Sequence, residues 1–389
     1  MEKRLEHVAV EGARWRAFKH GLQTVHLWLG LILAIPIIVI GVSGSALLVQ
    51  REILANSIPA ATASGPSQPL TRIIGAATSA APQDATPRSI VLPNGFRMPA
   101  TVQFDFAGRP PRSLVYVDPA SLNVLGTSEV VQRGPVLAFL INTHAFLMMP
   151  THIGLPFVGW MAVAMSFMAI SGLILWWPRA GTWRRAFLMR RGARGLRFHI
   201  EFHHVVGFWG SAILLIMGVS GIYLTFPETF RVGVEALFPT GLGSEDGSAN
   251  FQPGVAPLDA DRAMVAALSA VPNTQVVNVQ LPPNLNLPFV VQLETLEFRP
   301  RAPAILVTLD GQTGKINFVD DPRRYSLGDK VQNLQHALHF GLGMGWLWKL
   351  LVFISGVLPL GLAITGLNMW WKRRARNRLP EAIVNVPAE

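Results

Sequence analysis

The chain of 389 residues contains no cysteine. Disulfides, thiolate metal sites, iron–sulfur clusters and haem attached through Cys-x-x-Cys-His are therefore excluded. Charge is also scarce, because Asp, Glu, Lys and Arg make up 14% of the residues, against about a quarter in soluble domains. Half of the residues are hydrophobic, and the mean hydropathy is positive. This balance indicates a membrane protein.

Four uncharged runs have the length of about 20 residues that crosses a bilayer. They predict transmembrane helices at residues 27–49, 153–177, 205–227 and 350–371. The rest of the chain forms an N-terminal segment, a loop, a tail and two long segments between spans. These are residues 1–26, 178–204, 372–389, 50–152 and 228–349.

The formal charge of +10 is unevenly distributed. Of the 33 Lys and Arg residues, 17 lie in the N-terminal segment, the loop and the tail. The positive-inside rule makes these three segments cytoplasmic, so both termini are cytoplasmic and both long segments face outward. We interpret the basic charge as a topology signal, and we do not expect nucleic-acid binding.

The sequence contains an internal duplication. Spans one and three share, 177 residues apart, His26 with His203, Gly30 with Gly207, and Gly-Val-Ser-Gly at 41–44 with the same motif at 218–221. Spans two and four share, 194 residues apart, Ser-Gly at 171–172 with Thr-Gly at 365–366, and Trp-Trp at 176–177 with 370–371. We interpret the small residues as helix-packing positions and the tryptophans as interface anchors.

Each long segment has a short amphipathic pattern followed by β-rich runs. We predict helices at 70–80 and 258–270. The predicted strands are 89–92, 101–106 and 113–117 in the first segment, and 275–281, 289–294 and 304–309 in the second. The expected fold is a mainly α membrane protein, a four-helix bundle from a duplication, with two small α+β modules.

Nine of the ten histidines fall into two groups at opposite ends of the spans. His26 and His203 lie at the cytoplasmic end, and His144 and His339 lie at the outer end. Ionisable side chains near hydrocarbon are functional candidates by default. A helix from His26 to Ser43 would be about 26 Å long, so the two groups cannot share one metal.

The duplication pairs His26 with His203 and His144 with His339. Helices of a bundle can hold a flat cofactor between two such imidazoles. We therefore predict two haem b groups whose iron is bound by these four histidines, and no catalytic side chain beyond them. Small residues were expected to leave room for each porphyrin, namely Gly30, Gly207, Gly341 and Gly343.

Other ligands remain open. Five further histidines are alternatives, since several share a helical face with the first four: His20, His152, His199, His204 and His336. Zinc is a competing hypothesis that the lack of nearby carboxylates disfavours. Met148, Met149 and Met344 are possible iron or copper ligands, although packing is the simpler interpretation.

The chain resembles the PepSY-associated transmembrane family of bacterial inner-membrane proteins. The resemblance rests on five motifs spread over nearly the whole chain: His-Leu-Trp-Leu-Gly-Leu at 26–31, Gly-Leu-Ile-Leu-Trp-Trp-Pro-Arg at 172–179, His-His-Val-Val-Gly at 203–207, Leu-His-Phe-Gly at 338–341 and Thr-Gly-Leu-Asn-Met-Trp-Trp at 365–371. It implies PepSY-like periplasmic modules and an inner-membrane haem reductase that reduces ferric iron in siderophores at the periplasmic face.

The expected partners are a ferric siderophore, membrane lipid, and an electron donor that is either quinol or a cytoplasmic reductase. No nicotinamide or flavin motif supplies electrons. Five residues lie near the electron exit in sequence and are candidates for substrate contact: Arg133, Arg323, Arg324, Trp346 and Trp348. The alternative functions are a non-enzymatic PepSY membrane module that binds a periplasmic partner and a metal-ion permease, which the absence of carboxylates from the spans disfavours.

Overall fold

The computed structural model describes residues 2–49, 58–93, 98–106, 109–129, 135–178, 181–241, 258–282, 284, 287–296 and 304–376. Its helices are α1 (Glu2–Ile32), α2 (Ala34–Leu47), α3 (Leu70–Ala80), α4 (Pro135–Phe146), α5 (Thr151–Trp176), α6 (Trp183–Ala186), α7 (Gly195–Thr225), α8 (Pro227–Glu235), α9 (Ala260–Ala270), α10 (Leu327–His339) and α11 (Gly345–Arg376). Its strands are β1 (Ala85–Val91), β2 (Ala100–Phe106), β3 (Arg109–Val117), β4 (Val124–Glu129), β5 (Thr274–Gln280), β6 (Phe289–Thr295), β7 (Ile305–Leu309) and β8 (Ile316–Asp320).

The chain divides into two compact units. The helical unit combines the chain up to Val49, Phe139–Val232 and the chain from Leu334 onward, and the mixed unit combines the two intervening segments. The long segments predicted at 50–152 and 228–349 therefore do not belong wholly to the mixed unit. Their final residues, including His144 and His339, belong to the helical unit, because these residues lie on α4 and α10 and contact the long helices.

Three helices of the helical unit, α5, α7 and α11, are long and apolar enough to cross a membrane. A fourth candidate span is the pair α1 and α2, which bends by 62°. The span predicted at 27–49 thus corresponds to two helices with a break at Leu33. Pro36 explains the break, because it has no N–H to donate to the carbonyl of Ile32 and its ring obstructs regular helix there.

The third span begins earlier than predicted. Helix α7 starts at Gly195, so the last ten residues of the predicted loop 178–204 are helical. Arg197 and Glu201 pair across one turn of this extension, with Nε to Oε1 at 2.9 Å. An i, i+4 pair of opposite charge supports a helix where the apolar pattern has not yet begun.

Small residues let the long helices approach closely. A Cβ on Gly41 of α2 would meet the backbone of Gly356 in α11, and one on Gly218 of α7 would meet Ser166 in α5. Ser45 of α2 also donates to the carbonyl of Phe353 at 2.8 Å. Packing through small residues and interhelical hydrogen bonds is what holds helices together when no hydrophobic effect drives them.

The mixed unit contains one eight-stranded antiparallel sheet in the order β4-β3-β2-β1-β5-β6-β7-β8. Two meanders, β1 to β4 and β5 to β8, join where β1 pairs with β5, with Ile90 opposite Val279. The two α+β modules expected from the sequence therefore share a single sheet. Pairing of the two edge strands satisfies backbone groups that separate modules would leave exposed.

Helices α3 and α9 cover the sheet and share one apolar core with it. The core includes Ile73 of α3, Ala263 of α9, and Phe104 and Val291 of the strands, all fully buried. Asp261 of α9 also caps α3, since its carboxylate accepts from the backbone N–H of Leu70 at 2.6 Å. The two halves of the duplication are thus joined in the mixed unit by sheet, core and cap.

Asp118 anchors the turn after β3. Its side chain is 1% exposed. Oδ2 accepts from the backbone N–H groups of Thr62 and Ala63, and Oδ1 accepts from those of Ala120 and Ser121, at 2.9 to 3.1 Å. Burial raises the pKa of Asp118, but these four hydrogen bonds outweigh it and lower the pKa to about 2.

We expect Asp118→Ala to destabilise the mixed unit by about 1–3 kcal/mol, because four backbone N–H groups that bond to this buried carboxylate lose their acceptor. Hydrogen–deuterium exchange should quicken at Thr62, Ala63, Ala120 and Ser121.

A carboxylate with a lowered pKa stabilises the fold above its unfolded pKa of about 4, and this contribution disappears as the pH falls towards 2. The melting temperature of the wild type should therefore exceed that of Asp118→Asn at pH 7, and the difference should shrink below pH 4. A difference independent of pH would contradict this account.

Candidate functional site

Two histidines meet at one end of the helical unit. His144 on α4 and His339 on α10 have ring centroids 6.0 Å apart, with the ring planes at 51°. Both rings are partly buried. His339 lies one residue beyond the position 194 residues after His144, and each of the two histidines sits on a short helix of its own rather than on a span.

Hydrogen bonds from the long helices orient both rings. Nδ1 of His144 donates to the carbonyl of Ile40 at 2.8 Å. Because a carbonyl can only accept, Nδ1 carries the proton and the lone pair of Nε2 is free for a metal. Nδ1 of His339 lies 3.0 Å from Oγ of Ser220, a hydroxyl that can accept in the same way.

The second pair is His26 on α1 and His203 on α7, which lie close enough to interact electrostatically. We call it the inner pair, and His144 with His339 the outer pair, after the ends of the spans at which the sequence is predicted to place them. Nδ1 of His203 lies 3.1 Å from both the carbonyl of Leu362 and Oγ1 of Thr365. Nδ1 of His26 lies 2.8 Å from Oγ of Ser171. The carbonyl again fixes the tautomer, with Nε2 of His203 unprotonated.

A glycine of the repeat motifs lies against each of the four rings. A Cβ on Gly44 would stand 2.6 Å from Cε1 of His144. The same distance, from an added Cβ to the histidine Cε1, is longer for the other three glycines: 3.8 Å for Gly221 and His339, 3.4 Å for Gly172 and His26, and 3.6 Å for Gly366 and His203. The glycines expected to leave room for a cofactor are not these: Gly30 faces Met168, Gly207 faces Leu362, and Gly341 faces Leu48.

The Ser-Gly, Thr-Gly and Gly-Val-Ser-Gly motifs therefore have a role beyond helix packing. Ser171 and Thr365 bind the imidazoles of one pair, and Ser220 binds one imidazole of the other. Each repeat orients its own two histidines, and each pair takes one histidine from each repeat. The signal was already in the sequence, since the motifs recur at spacings of 177 and 194 residues and the histidine pairs at 177 and 195.

This donor set fits a metal held by two imidazoles. Such a metal lies about 2 Å from each Nε2, and roughly 1 Å separates that atom from the ring centroid, so centroids are expected about 6 Å apart. The distance between His144 and His339 meets that value. Within the part of the chain that the structure describes, no hydrogen bond occupies Nε2 of any of the four rings. The residues thus fit haem iron with two histidine ligands.

A zinc site gains no support. Among the described residues, no three His, Asp or Glu side chains come together so that they could hold a metal ion. Structural zinc sites need four protein ligands and catalytic sites three. Met148 and Met344 are exposed by 59% and 43%, which is unlike a buried metal ligand.

The alternative histidines lie outside the two pairs. His20 and His152 are exposed, and His336 is exposed and stacks on Phe340 with centroids 4.4 Å apart. His199 lies one turn before His203 on α7, and its Nδ1 is buried without a hydrogen-bond partner among the described residues. His204 lines a cavity beside the loop that follows α5.

The candidates for substrate contact separate by unit. Arg133 lies outside the described residues. Arg323 and Arg324 belong to the mixed unit, where Arg323 makes a two-armed contact with Asp321, with Nη2 to Oδ2 at 2.7 Å. The hydrogen bond from Arg323 lowers the pKa of Asp321, so this arginine already has a carboxylate partner.

The two tryptophans belong to the helical unit at the start of α11. Trp346 is 77% exposed, whereas Nε1 of Trp348 donates to the carbonyl of Leu338 at 3.2 Å. Trp348 therefore fixes the end of α10 next to His339. Only Trp346 of these two presents its ring outward.

The fold and the site define a helical membrane protein with two histidine pairs, of which His144 and His339 face each other. The chain belongs to the PepSY-associated TM region family, whose sequence profile matches residues 23–373. That match spans all four candidate spans and both histidine pairs. Comparison with curated proteins found no match.

Proposed function

We propose that the protein is an inner-membrane reductase with two haem b groups, which passes electrons across the membrane to ferric iron in a siderophore at the periplasmic face. The observation that carries the proposal is the spacing of His144 and His339 with both Nε2 atoms open, together with a second pair built in the same way. Bound haem iron would supply one-electron transfer.

The chain's own residues would set the conditions for that chemistry. Hydrogen bonds at Nδ1 hold each imidazole in the tautomer that binds iron and raise its basicity. The Ser and Thr hydroxyls and the Ile40 and Leu362 carbonyls are therefore positioning groups. Reduction of a bound ferric complex by electron transfer needs no acid or base, so the proposal assigns no catalytic side chain beyond the four histidines.

The sheet supports the proposed topology independently of the basic residues. The segment after the first span and the segment after the third form one eight-stranded sheet, so both must lie on the same side of the membrane. With both termini cytoplasmic, as the positive-inside rule favours, that side is the periplasm. The mixed unit would then be the PepSY-like part that meets the siderophore.

The visible spectrum of the purified protein tests the proposal. We expect a reduced-minus-oxidised difference spectrum of low-spin haem b, with two haem groups per chain by extraction. Adding a ferric siderophore should reoxidise the dithionite-reduced protein and produce ferrous iron that a chelator captures. A protein purified from haem-sufficient cells without this spectrum would instead favour a non-enzymatic membrane module that binds a periplasmic partner.

A further inference from the structure

A cavity of about 160 Å³ lies in the helical unit between the end of α5, the loop that contains α6, and the start of α7. A cavity of about 150 Å³ holds one benzene ring, so this volume suits a single six-membered ring. Trp176, Leu188 and Val205 supply apolar walls. Trp176 is itself held in place by stacking on Phe208, with ring centroids 4.0 Å apart.

Polar groups converge on the same cavity. Glu201, His204 and Arg185 line it. The carboxylate of Glu201 is fixed by Nε of Arg197 on Oε1 and by the backbone N–H of Arg190 on Oε2, both at 2.9 Å. An ionised carboxylate has about four lone-pair positions, so Glu201 retains capacity to accept from a ligand hydroxyl. The guanidinium of Arg185 can donate to a carbonyl oxygen.

The polar residues of this cavity have no counterparts in the other repeat. Trp176 has a counterpart in Trp370, but the positions 177 residues before Glu201 and His204 hold Thr24 and Leu27. Trp370 instead has Arg374 over its ring, 5.5 Å from the centroid. One repeat therefore has polar groups at this place that the other lacks, whereas each repeat has two of the four histidines.

We propose that this cavity binds the ring of a membrane quinol and is where electrons enter the protein. This inference rests on the proposed function, which supplies the electron acceptor. His204 directly follows His203 on α7, and adjacent Cα atoms are about 3.8 Å apart, so the cavity lies at the same turn of α7 as His203, on a neighbouring face of that helix. Arg185 and Arg190 line the cavity together with Glu201, and Arg190 and Arg197 already pair with this carboxylate. The apolar walls of Trp176, Leu188 and Val205 are what favour a neutral ring.

Oxidation of the quinol releases two protons and two electrons. The two O–H bonds of the quinol break, and both protons leave to water at the open side of the cavity beside the basic loop. The two electrons leave the quinol one at a time, and a haem held by His26 and His203 would accept them. The oxidised quinone returns to the bilayer. Glu201, His204 and Arg185 hold the two oxygens through hydrogen bonds, with no other reactant required.

Photolabelling with an azido-benzoquinone carrying a short alkyl chain tests the site directly. We expect the label on peptides within residues 176–205 of the purified full-length protein, with competition by unlabelled quinone. Ala186→Trp, which fills the cavity, should lower both the labelling and the rate of haem reduction by a short-chain quinol by about ten-fold or more. Ala193→Trp adds the same ring to the same loop away from the cavity and should change neither.

A second pair of matched variants distinguishes loss of the binding site from misfolding of the protein. Trp176→Leu should weaken labelling, whereas Trp370→Leu in the other repeat should not. Haem content and reduction by dithionite should stay at the wild-type level in all four variants. If quinol fails to reduce a protein that dithionite reduces, or if the label lies elsewhere, the quinol site is wrong and the reductase proposal stands.

Two further results are equally decisive. Displacement of the label by anionic lipid vesicles, but not by unlabelled quinone, would identify a lipid-headgroup site and overturn the inference. Absence of haem b would overturn the reductase proposal and, with it, the role in electron entry. Labelling that still maps to residues 176–205 and is lost in Ala186→Trp would then support the binding site alone.

Discussion

Replacing His144 by alanine is expected to remove one of the two haem b groups and leave the other. Among the described residues, His144 and His339 are the two imidazoles that meet at the outer site, with ring centroids 6.0 Å apart. The inner pair is oriented by different residues, Ser171, Leu362 and Thr365. The haem content of purified His144→Ala should therefore fall by half, measured by extraction and by the amplitude of the difference spectrum.

His26→Ala gives the complementary result. We expect loss of the other haem, and the double variant should contain none. His152→Ala is the matched control, because His152 is an exposed histidine close to His144 in sequence, and it should retain both. Loss of both haems from a single variant, or of neither, would contradict the assignment, and loss caused by His336→Ala would transfer the role of His339 to its neighbour.

These pairs explain how far the site could be predicted from the sequence. The pairing of His26 with His203 follows from the 177-residue repeat, because a duplication preserves the positions that a symmetric site needs. The 194-residue repeat places the partner of His144 at residue 338, between the candidates His336 and His339. Choosing between His336 and His339 was beyond sequence reasoning, since residues three apart on a helix face the same way. Only the packed helices show that His339 turns towards His144 while His336 stacks on Phe340.

The fold was predictable to a similar depth. Four apolar runs and the alternating patterns of the long segments indicate the spans, two helices and six strands, since each depends on local periodicity. The bend at Leu33 had a visible cause in Pro36. The pairing of β1 with β5 had none, because it joins two strands almost 200 residues apart in sequence, and local periodicity does not indicate which distant strands pair.

The cavity beside α7 shows a second limit. Glu201 and His204 lie in a stretch that the basic charge alone identified as a loop, and helix α7 extends through it. Arg185 reaches the same cavity from the neighbouring loop. Convergence of side chains from separate elements is a tertiary property, and hydropathy patterns contain no information about it.

Gly44→Ala is expected to eliminate the outer haem as completely as His144→Ala does. The added Cβ would stand 2.6 Å from Cε1 and 2.8 Å from Nδ1 of His144, well inside van der Waals contact. The ring cannot retreat without losing the hydrogen bond from Nδ1 to Ile40, which lies one turn earlier on the same helix. Haem content should fall by half while the inner haem keeps its spectrum.

Two other glycines separate this steric effect from simple helix packing. In Gly366→Ala the new Cβ would be 3.6 Å from Cε1 of His203, an ordinary contact, so both haems should remain. In Gly41→Ala the Cβ would strike the backbone of Gly356 in α11, so the bundle itself should be weakened and both haems lost together. If Gly44→Ala lost both haems, as Gly41→Ala is expected to do, Gly44 would be a helix-packing residue. Selective loss of one haem would show instead that the ring of His144 occupies the space that a side chain at residue 44 would fill.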